Sequence, residues 1–334
     1  MNETFCALSQ RKLLCLLKQK KRTLILFHRK PDADALGSAL ALREMLFQMG
    51  SEVLCACSSP LPDRLKFLLA DEAVAFGLDQ IPKDFLPERI ISVDTASPSQ
   101  LGELRPLYEG KINIMIDHHA SGTPLADHYI LPDAAATGEI LFDLAKKLQR
   151  AGKIRFTRSL CDRLYAAISS DTGGFRFANT SPKTHLRAAE LLKMGARAAD
   201  INHELFDSKS REQLLAESAA AANLETYLDG KVSVVPFPYA LKNSLGLADE
   251  HLETLVDVAR SCAGAKLAFA VRQPTEENTF WVSARSACEF DVAELCAHFG
   301  GGGHKRAAGC NLQAADMKEA VEKILSLIDP GKLN

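Results

Sequence analysis

The chain has 334 residues, of which 47% are hydrophobic and 25% are charged. This composition is typical of a folded globular protein and excludes a disordered or fibrous one. Forty Lys and Arg residues stand against 42 Asp and Glu residues, a formal charge of −2. That balance excludes a protein that coats long nucleic acid through a broad basic face, because such binding needs many phosphate contacts. The length predicts two domains.

The cysteines and the lack of long apolar runs indicate in which cellular compartment the protein lies. The nine cysteines form no CxxC pair, and several lie within apolar runs, so we predict free, buried thiols in a reducing environment. The first residues contain an acid, Glu3, and no long apolar core, which argues against a signal peptide. No apolar run approaches the roughly 18 residues of a membrane span. We therefore predict a cytoplasmic protein.

The first half of the chain alternates apolar strands with helical patterns. Residues 35–50 have helical apolar spacing, and Gly50 is a natural C-terminal cap for that helix. Strand, helix and strand at this spacing predict a parallel sheet buried on both faces, with ligands beyond the carboxyl ends of its strands. The predicted strands are 23–28, 52–57, 89–94 and 111–117.

The second half predicts a separate and smaller unit. Residues 205–228 are rich in Ala and charge and predict one long helix between the domains. Three strand patterns follow, with TEEN at 275–278 as a hairpin turn between the last two. The predicted fold is α/β, with a mostly parallel N-terminal sheet, flanking helices, a linker helix and a smaller C-terminal α/β domain. The predicted divisions are 1–204, 205–228 and 229–334.

Carboxylates and imidazoles collect where the predicted strands end. Any one of them alone could be a helix cap, a loop acid or a core histidine. Together they repel one another unless a cation neutralises them, and a fold tolerates that mainly at a functional site. The group comprises His28, Asp32 and Asp34 after the first strand, Asp94 after the third, Asp117, His118 and His119 at the fourth, and Asp171 after a helical run.

The donor types predict the metal. Aspartate and histidine without thiolates favour a divalent ion such as Mn²⁺, with Mg²⁺ as the alternative, over structural zinc. So many ligands suit two ions that share a bridging carboxylate. Two metals ~3.5–4 Å apart activate a bridging water and stabilise the attacking and leaving oxygens of phosphoryl transfer. The sequence therefore predicts a two-metal phosphoesterase.

The order of these motifs resembles the DHH phosphoesterase superfamily. The pattern is HxxxDxD at 28–34, VD at 93–94, DHH at 117–119 and SSDTGGF at 169–175. VSARS at 282–286 and GGGGHKRAAGC at 300–310 resemble the DHH-associated domain. Size and both motif sets are similar to the branch of nano-RNases and pAp phosphatases, the short-oligoribonucleotide hydrolases often called NrnA.

The resemblance implies a role for each residue. Asp117 would lie behind the site and orient its neighbours. His119 would face the scissile phosphate, stabilising charge or protonating the leaving oxygen. The resemblance implies that one ion is bound by His28, Asp32 and Asp94. It implies that a second ion is bound by Asp34, Asp94, His118 and Asp171, so that Asp94 bridges the two. Asp94 and His119 are the implied catalytic residues.

The C-terminal half predicts a phosphate or nucleotide clamp. Four glycines at 300–303 let backbone N–H groups approach an anion. The planar fork of Arg285 suits bidentate phosphate binding. Two nearby aromatics, Trp281 and Phe290, are predicted to pack in the core. The predicted clamp comprises Arg285, Ser286, Gly302, Gly303, His304, Lys305 and Arg306, with Arg176 or Arg29 as further candidates in the first domain.

These features predict an enzyme that cleaves very short RNA to mononucleotides, with removal of the 3′-phosphate of pAp as a second activity. Because substrate must fit between two domains, long nucleic acid is excluded, as is a membrane partner; a homodimer is left open. Hydrolysis of pApA or c-di-AMP is the nearer alternative. A pyrophosphatase is less favoured, since GGGGH stands where a Lys/Arg-rich site would be. A non-catalytic nucleotide sensor is the alternative from another class.

Overall fold

A computed structural model describes residues 5–70, 74–120 and 122–333, apart from the side chain of His304. The described residues form two compact units, one ending at Ser208 and the other beginning at Lys209. Each unit is built on its own six-stranded sheet. No described helix is both long and apolar enough to cross a bilayer.

The first unit is built on a parallel sheet whose strands occur in the order β3-β2-β1-β4-β5-β6. All five strand pairings are parallel, which confirms the predicted fold class. The strands are β1 (Thr23–Leu26), β2 (Val53–Cys57), β3 (Val74–Phe76), β4 (Arg89–Val93), β5 (Ile114–Asp117) and β6 (Asp127–Ile130).

Both faces of this sheet are covered, which explains its near-continuous apolar strands. Ile25 of β1 faces the larger core with the helices, while Leu24 and Leu26 face a second, smaller core, because successive side chains of a strand point to opposite faces. The helices are α1 (Gln10–Leu17), α2 (Ala33–Gln48), α3 (Arg105–Tyr108), α4 (Thr137–Arg150), α5 (Arg158–Asp171), α6 (Pro182–Lys193) and α7 (Ala198–Asn202).

The second unit has a mixed sheet with the order β11-β12-β10-β9-β8-β7. Strands β8 and β9 are parallel and the other pairings are antiparallel. The elements are α8 (Arg211–Ala222), β7 (Glu225–Tyr227), β8 (Val232–Phe237), α9 (Tyr239–Ser244), α10 (Leu255–Arg260), β9 (Leu267–Arg272), β10 (Thr279–Ser286), α11 (Val292–Ala297), β11 (Gly302–His304), β12 (Ala307–Gln313) and α12 (Met317–Leu325).

The prediction of one helix over 205–228 is wrong. The helix begins at Arg211, because Ser210 caps it: the Ser210 hydroxyl accepts from the Gln213 N–H, and the Gln213 side chain accepts from the Ser210 N–H. The chain then enters β7. Ala216 and Ala220 pack into a core of the second unit, so this segment belongs to a domain core and is not a free linker.

Candidate metal centre

The candidate site lies where the strand order reverses. β1 and β4 are neighbours at the centre of the first sheet, and the chain proceeds outward from them in opposite directions. Ligands of such sheets bind beyond the carboxyl ends of the strands at this point. His28 follows β1 and Asp94 follows β4, so both side chains start from this edge.

The first cluster groups His28, Asp32 and Asp94. Nε2 of His28 lies 3.7 Å from Oδ2 of Asp32 and 3.5 Å from Oδ2 of Asp94. Nδ1 of His28 lies 2.9 Å from the carbonyl oxygen of Arg29. A proton on Nδ1 therefore satisfies that carbonyl and leaves the lone pair of Nε2 free to face a cation. Asp32 caps α2 with its other oxygen, which accepts from the Ala35 N–H.

The second cluster groups Asp34, His118 and Asp171. Nε2 of His118 lies 3.3 Å from Oδ2 of Asp171 and 4.0 Å from Oδ2 of Asp34. It also lies 3.7 Å from Oδ1 of Asp94. Asp94 thus turns one carboxylate oxygen toward each cluster, which is the arrangement a bridging ligand requires.

Thr137 and Gly138, which the sequence analysis missed, hold the carboxylates of Asp34 and Asp94 in place. The backbone N–H groups of Thr137 and Gly138, in the first turn of α4, donate to the two oxygens of Asp34 at 2.7 and 2.9 Å. The Thr137 hydroxyl donates to Oδ1 of Asp94 at 3.0 Å. A Cβ on Gly138 would lie 2.5 Å from Cβ of Ala167, so only glycine lets α4 approach α5 this closely. The sequence signal is a Thr-Gly pair that opens a helix.

The backbone of Asp94 is strained. Its φ is +51°, in the left-handed region that non-glycine residues rarely occupy. Its side chain is 2% exposed. Such strain costs on the order of 1–3 kcal/mol and clusters at functional sites, and here it aims the carboxylate between the two histidines.

In the metal-free protein, the pKa values of the two cluster histidines and of Asp34 are raised, which favours their protonated forms. Burial opposes the charge on His28, but the neighbouring carboxylates of Asp32 and Asp94 raise the pKa of His28 to about 12. Burial likewise opposes the charge on His118, while Asp171 and neighbouring carboxylates raise its pKa to about 10. Burial, with repulsion from Asp94 and Asp171, raises the pKa of the Asp34 carboxyl well above its ordinary value.

The donors present fit divalent cations. Nε2 of His118 is buried and, despite its nearness to Asp171, has no aligned hydrogen-bond partner. An unsatisfied buried imidazole nitrogen among carboxylates is costly unless a cation fills the space. Ligand atoms of each cluster lie within 4.8 Å of one another, and no cysteine contributes.

His119 has a different environment from His118. Its Nδ1 lies 2.6 Å from Oδ1 of Asp117, which also accepts the His119 N–H at 2.9 Å. The second oxygen of Asp117 accepts the Thr95 N–H at 2.8 Å. Burial disfavours the charged form of His119, but the Asp117 hydrogen bond and the Asp94 charge raise its pKa. Asp117 therefore orients His119 and stabilises its charged form.

The predicted clamp divides into paired and unpaired charges. Glu289 pairs with Lys305 at 2.7 Å and with Arg306 at 2.8 Å. Arg285 has no carboxylate within ion-pair distance in the described part of the chain; its Nη1 donates to the Ala284 carbonyl at 3.0 Å. Burial lowers the pKa of Arg285. Arg285 is thus the clamp residue best placed to take an external anion.

Two of the other predicted clamp residues, Ser286 and Gly303, have structural uses. Ser286 is buried, and its hydroxyl donates to the Cys288 carbonyl, so this hydroxyl is already used within the second unit. Gly303 packs directly on β12, where a Cβ would lie 2.5 Å from the Ala307 carbonyl oxygen. Gly302 has open space around it. The His304 side chain lies outside the described residues.

Arg176, Phe290 and Trp281 have different environments. Arg176 donates from Nε to the Gly173 carbonyl and lies 5.5 Å from the ring of Phe206, so its own turn holds it. Phe290 packs in the core of the second unit, as predicted. Trp281 does not: it is partly exposed and lies in none of the hydrophobic clusters of the described residues.

The chain matches two family models, one in each half. Residues 22–168 match the model of the DHH family, N-terminal domain, and residues 232–329 match the DHHA1 domain. The chain belongs to the DHH family. Its name-giving motif is Asp117–His119, and the matched N-terminal range contains every predicted metal ligand except Asp171.

The chain is similar to several known proteins along most of its length. The bifunctional oligoribonuclease and PAP phosphatase NrnA of Thermus thermophilus is 29% identical over 303 residues, which is 90% of this chain and 87% of that protein. The cyclic-di-AMP phosphodiesterase PdeA of Listeria monocytogenes is 25% identical over 94% of this chain, which spans 48% of that protein. The crystal structure of an exopolyphosphatase-related protein from Bacteroides fragilis superposes with a TM-score of 0.87 at 22% identity, covering 95% and 94% of the two chains.

Proposed function

We propose that this DHH protein is a metal-dependent phosphoesterase that hydrolyses short oligoribonucleotides to mononucleotides and removes the 3′-phosphate of pAp. The observation that carries the proposal is the position of Asp94, whose Oδ2 faces His28 and whose Oδ1 faces His118. The likeness to the Thermus NrnA over nearly full length on both sides supports this substrate class.

The proposed cofactors are two divalent ions, with Mn²⁺ preferred and Mg²⁺ as the alternative. The cluster of His28, Asp32 and Asp94 would hold one ion, and Asp34, His118 and Asp171 would hold the other with Asp94. When bound, such ions polarise a phosphoryl oxygen, activate water and neutralise the charge that develops in the transition state. The carbonyls of Arg29 and Ala134 support ligation, since they accept from Nδ1 of His28 and His118.

The residues of this chain then orient the substrate and move a proton. Asp117 holds Nδ1 of His119, so the imidazole presents Nε2 as the atom that donates a proton to the leaving oxygen. Thr137 keeps Asp94 in place by its hydroxyl hydrogen bond. In the second unit Arg285, with the backbone at Gly302 and the neighbouring Lys305 and Arg306, binds a phosphate group of the substrate.

Hydrolysis of a cyclic or linear adenine dinucleotide is the second candidate, favoured by the likeness to PdeA. The test is an assay of the purified protein with added Mn²⁺ against pAp, 5′-labelled RNA of two to five nucleotides, a 24-mer, c-di-AMP and pyrophosphate. Turnover of the short RNAs and pAp, with the 24-mer left intact, is the expected result. Turnover of c-di-AMP alone would move the proposal to the second candidate. Metal binding without turnover of any substrate would support the nucleotide sensor instead.

A further inference from the structure

Strand β10 presents two chemically different faces. Phe280, Val282 and Ala284 point into the core that α11 and α12 cover. Trp281 and Arg285 lie on the opposite face, since side chains alternate along a strand. The alternation of burial along β10 follows the same period of two.

Part of this second face has no helix over it. On β9 the face is covered, because Ala268 and Ala270 pack with α8 and α10, and these alanines stand opposite Arg285 and Ser283 in the register. On β12 the partners of Trp281 and Ser283 are Asn311 and Gly309. Asn311 is exposed and Gly309 is partly exposed. The face is therefore open on β12 and beside Trp281, with small residues between Trp281 and Arg285, while α10 lies near Arg285 with Asp257 and Arg260.

A guanidinium without a carboxylate partner lies at each end of this open strip. Arg285 donates only to a backbone carbonyl, that of Ala284. Arg272, which stands opposite Trp281 in the register, donates from Nη1 to the Leu252 carbonyl at 3.2 Å. Its Nε is buried without a hydrogen-bond partner. Among the described residues neither arginine has a carboxylate within ion-pair distance. The nearest acids, Glu253 and Asp249 for Arg272 and Asp257 for Arg285, act only at longer range, so both guanidinium groups keep donors for an anionic ligand.

Trp281 has the contacts of a stacking platform. The Arg272 guanidinium lies 5.9 Å from the centroid of its ring, which places a cation beside the aromatic system. No hydrophobic cluster of the described residues includes the indole. Sequence-tolerant binding of single-stranded nucleic acid combines such aromatic platforms with cationic groups.

We propose that Trp281 stacks on a nucleobase of a single-stranded oligonucleotide whose phosphate is bound at Arg285, with Arg272 supporting the ring. The inference rests on the proposed function and adds a residue that senses substrate length. Trp281 and Arg285 are four steps apart along the strand, about 13 Å. This spacing suits a base of a neighbouring nucleotide, which pAp lacks and a trinucleotide has.

The fluorescence of the protein tests this directly, because Trp281 is the single tryptophan of the chain. The metal-loaded enzyme is titrated with a hydrolysis-resistant phosphorothioate trinucleotide and with pAp, and calorimetry follows binding in parallel. We expect strong quenching at saturation with the trinucleotide and a much smaller change with pAp. Unchanged emission at saturation, or no binding of the trinucleotide, would overturn the proposal.

Kinetics give an independent readout. Trp281→Ala should raise the ratio of the trinucleotide KM to the pAp KM about tenfold, the loss expected for one base–aromatic stack, with kcat for the trinucleotide little changed. Trp281→Phe should restore most of that ratio. Phe47→Ala, which removes an exposed aromatic from α2, is the control. An unchanged ratio in Trp281→Ala would refute the stacking role. If the wild type hydrolyses neither substrate, the proposed function fails, while the titration still decides whether Trp281 stacks.

Discussion

Asp94 and His118 face each other across the carboxyl ends of β4 and β5, with Oδ1 of Asp94 3.7 Å from Nε2 of His118. The other oxygen of the same carboxylate lies 3.5 Å from Nε2 of His28. One buried carboxylate therefore links two imidazoles that contact different groups of acids. The left-handed backbone of Asp94, at φ +51°, makes this double orientation possible at some cost in stability.

Asp94→Asn should abolish hydrolysis and leave the fold intact. The amide keeps the shape of the side chain, but its nitrogen cannot ligate a metal, so one of the two sites loses a ligand. Turnover should fall by at least about a thousandfold, the size of effect expected when a main transition-state stabiliser is lost. Asp84→Asn, at an exposed acid outside the site, is the matched control. Near-normal turnover in Asp94→Asn would refute the bridging role.

Thr137→Val should weaken metal binding with little effect on folding. The valine has nearly the same shape but cannot donate to Oδ1 of Asp94, and partners of metal ligands are typically worth about 10–100-fold in affinity or activity. Thr137→Ser keeps the hydroxyl and should retain most activity. The measurement is kcat as a function of Mn²⁺ concentration. Equal metal dependence for the Val and Ser variants would contradict the role.

Residues at strand ends are predictable from the sequence, because every parallel strand brings its carboxyl end to one edge of the sheet. The amino-acid pattern alone therefore groups His28, Asp94 and His118. It does not group Thr137 and Gly138 with them, since their role depends on where the first turn of α4 meets Asp34, and that is a matter of packing between distant segments.

Two errors have local causes. Helix propensity over 205–228 is real, but Ser210 and Gln213 form a capping box that starts a new helix, and this signal outweighs average composition. For Trp281, the alternation of β10 indicates which side chains share a face. It does not indicate which of the two faces a helix covers, so the pattern predicts a core position for an aromatic that lies at the surface.

Metal binding should release protons and stabilise the fold. The pKa values of His28 and His118, at about 12 and about 10, lie above their ordinary value, so both are protonated at pH 7 in the metal-free protein. A ligand imidazole must be neutral, so metal affinity should rise with pH. Calorimetry in buffers of different ionisation enthalpy should detect the released protons. At a hundredfold excess over Kd, the melting temperature should rise by roughly 5–10 °C. Metal binding without proton release would contradict the protonated state of His28 and His118 in the metal-free protein.

Arg285→Ala should raise KM for nucleotides about 10- to 150-fold with a smaller effect on kcat, because charge-assisted hydrogen bonds are worth about 1.5–3 kcal/mol. Lys305→Ala should have a weaker effect, since Glu289 already pairs with Lys305 at 2.7 Å. Arg285→Lys keeps the charge and loses the planar fork, so its KM should lie between those of wild type and Arg285→Ala. An unchanged KM in Arg285→Ala would refute the proposed role of Arg285 in binding the substrate phosphate.

His119→Ala should lose activity according to the leaving group. Hydrolysis of a dinucleotide expels a poor leaving alkoxide that needs a proton, so we expect kcat to fall by about 10²–10⁴-fold. A p-nitrophenyl ester of a nucleotide expels a stable phenolate and should be affected far less. Asp117→Asn should show the same selectivity in weaker form, because the amide retains the side-chain shape but no longer stabilises charged His119 at Nδ1. Equal losses on both substrates would assign His119 to phosphate binding, with no part in proton transfer.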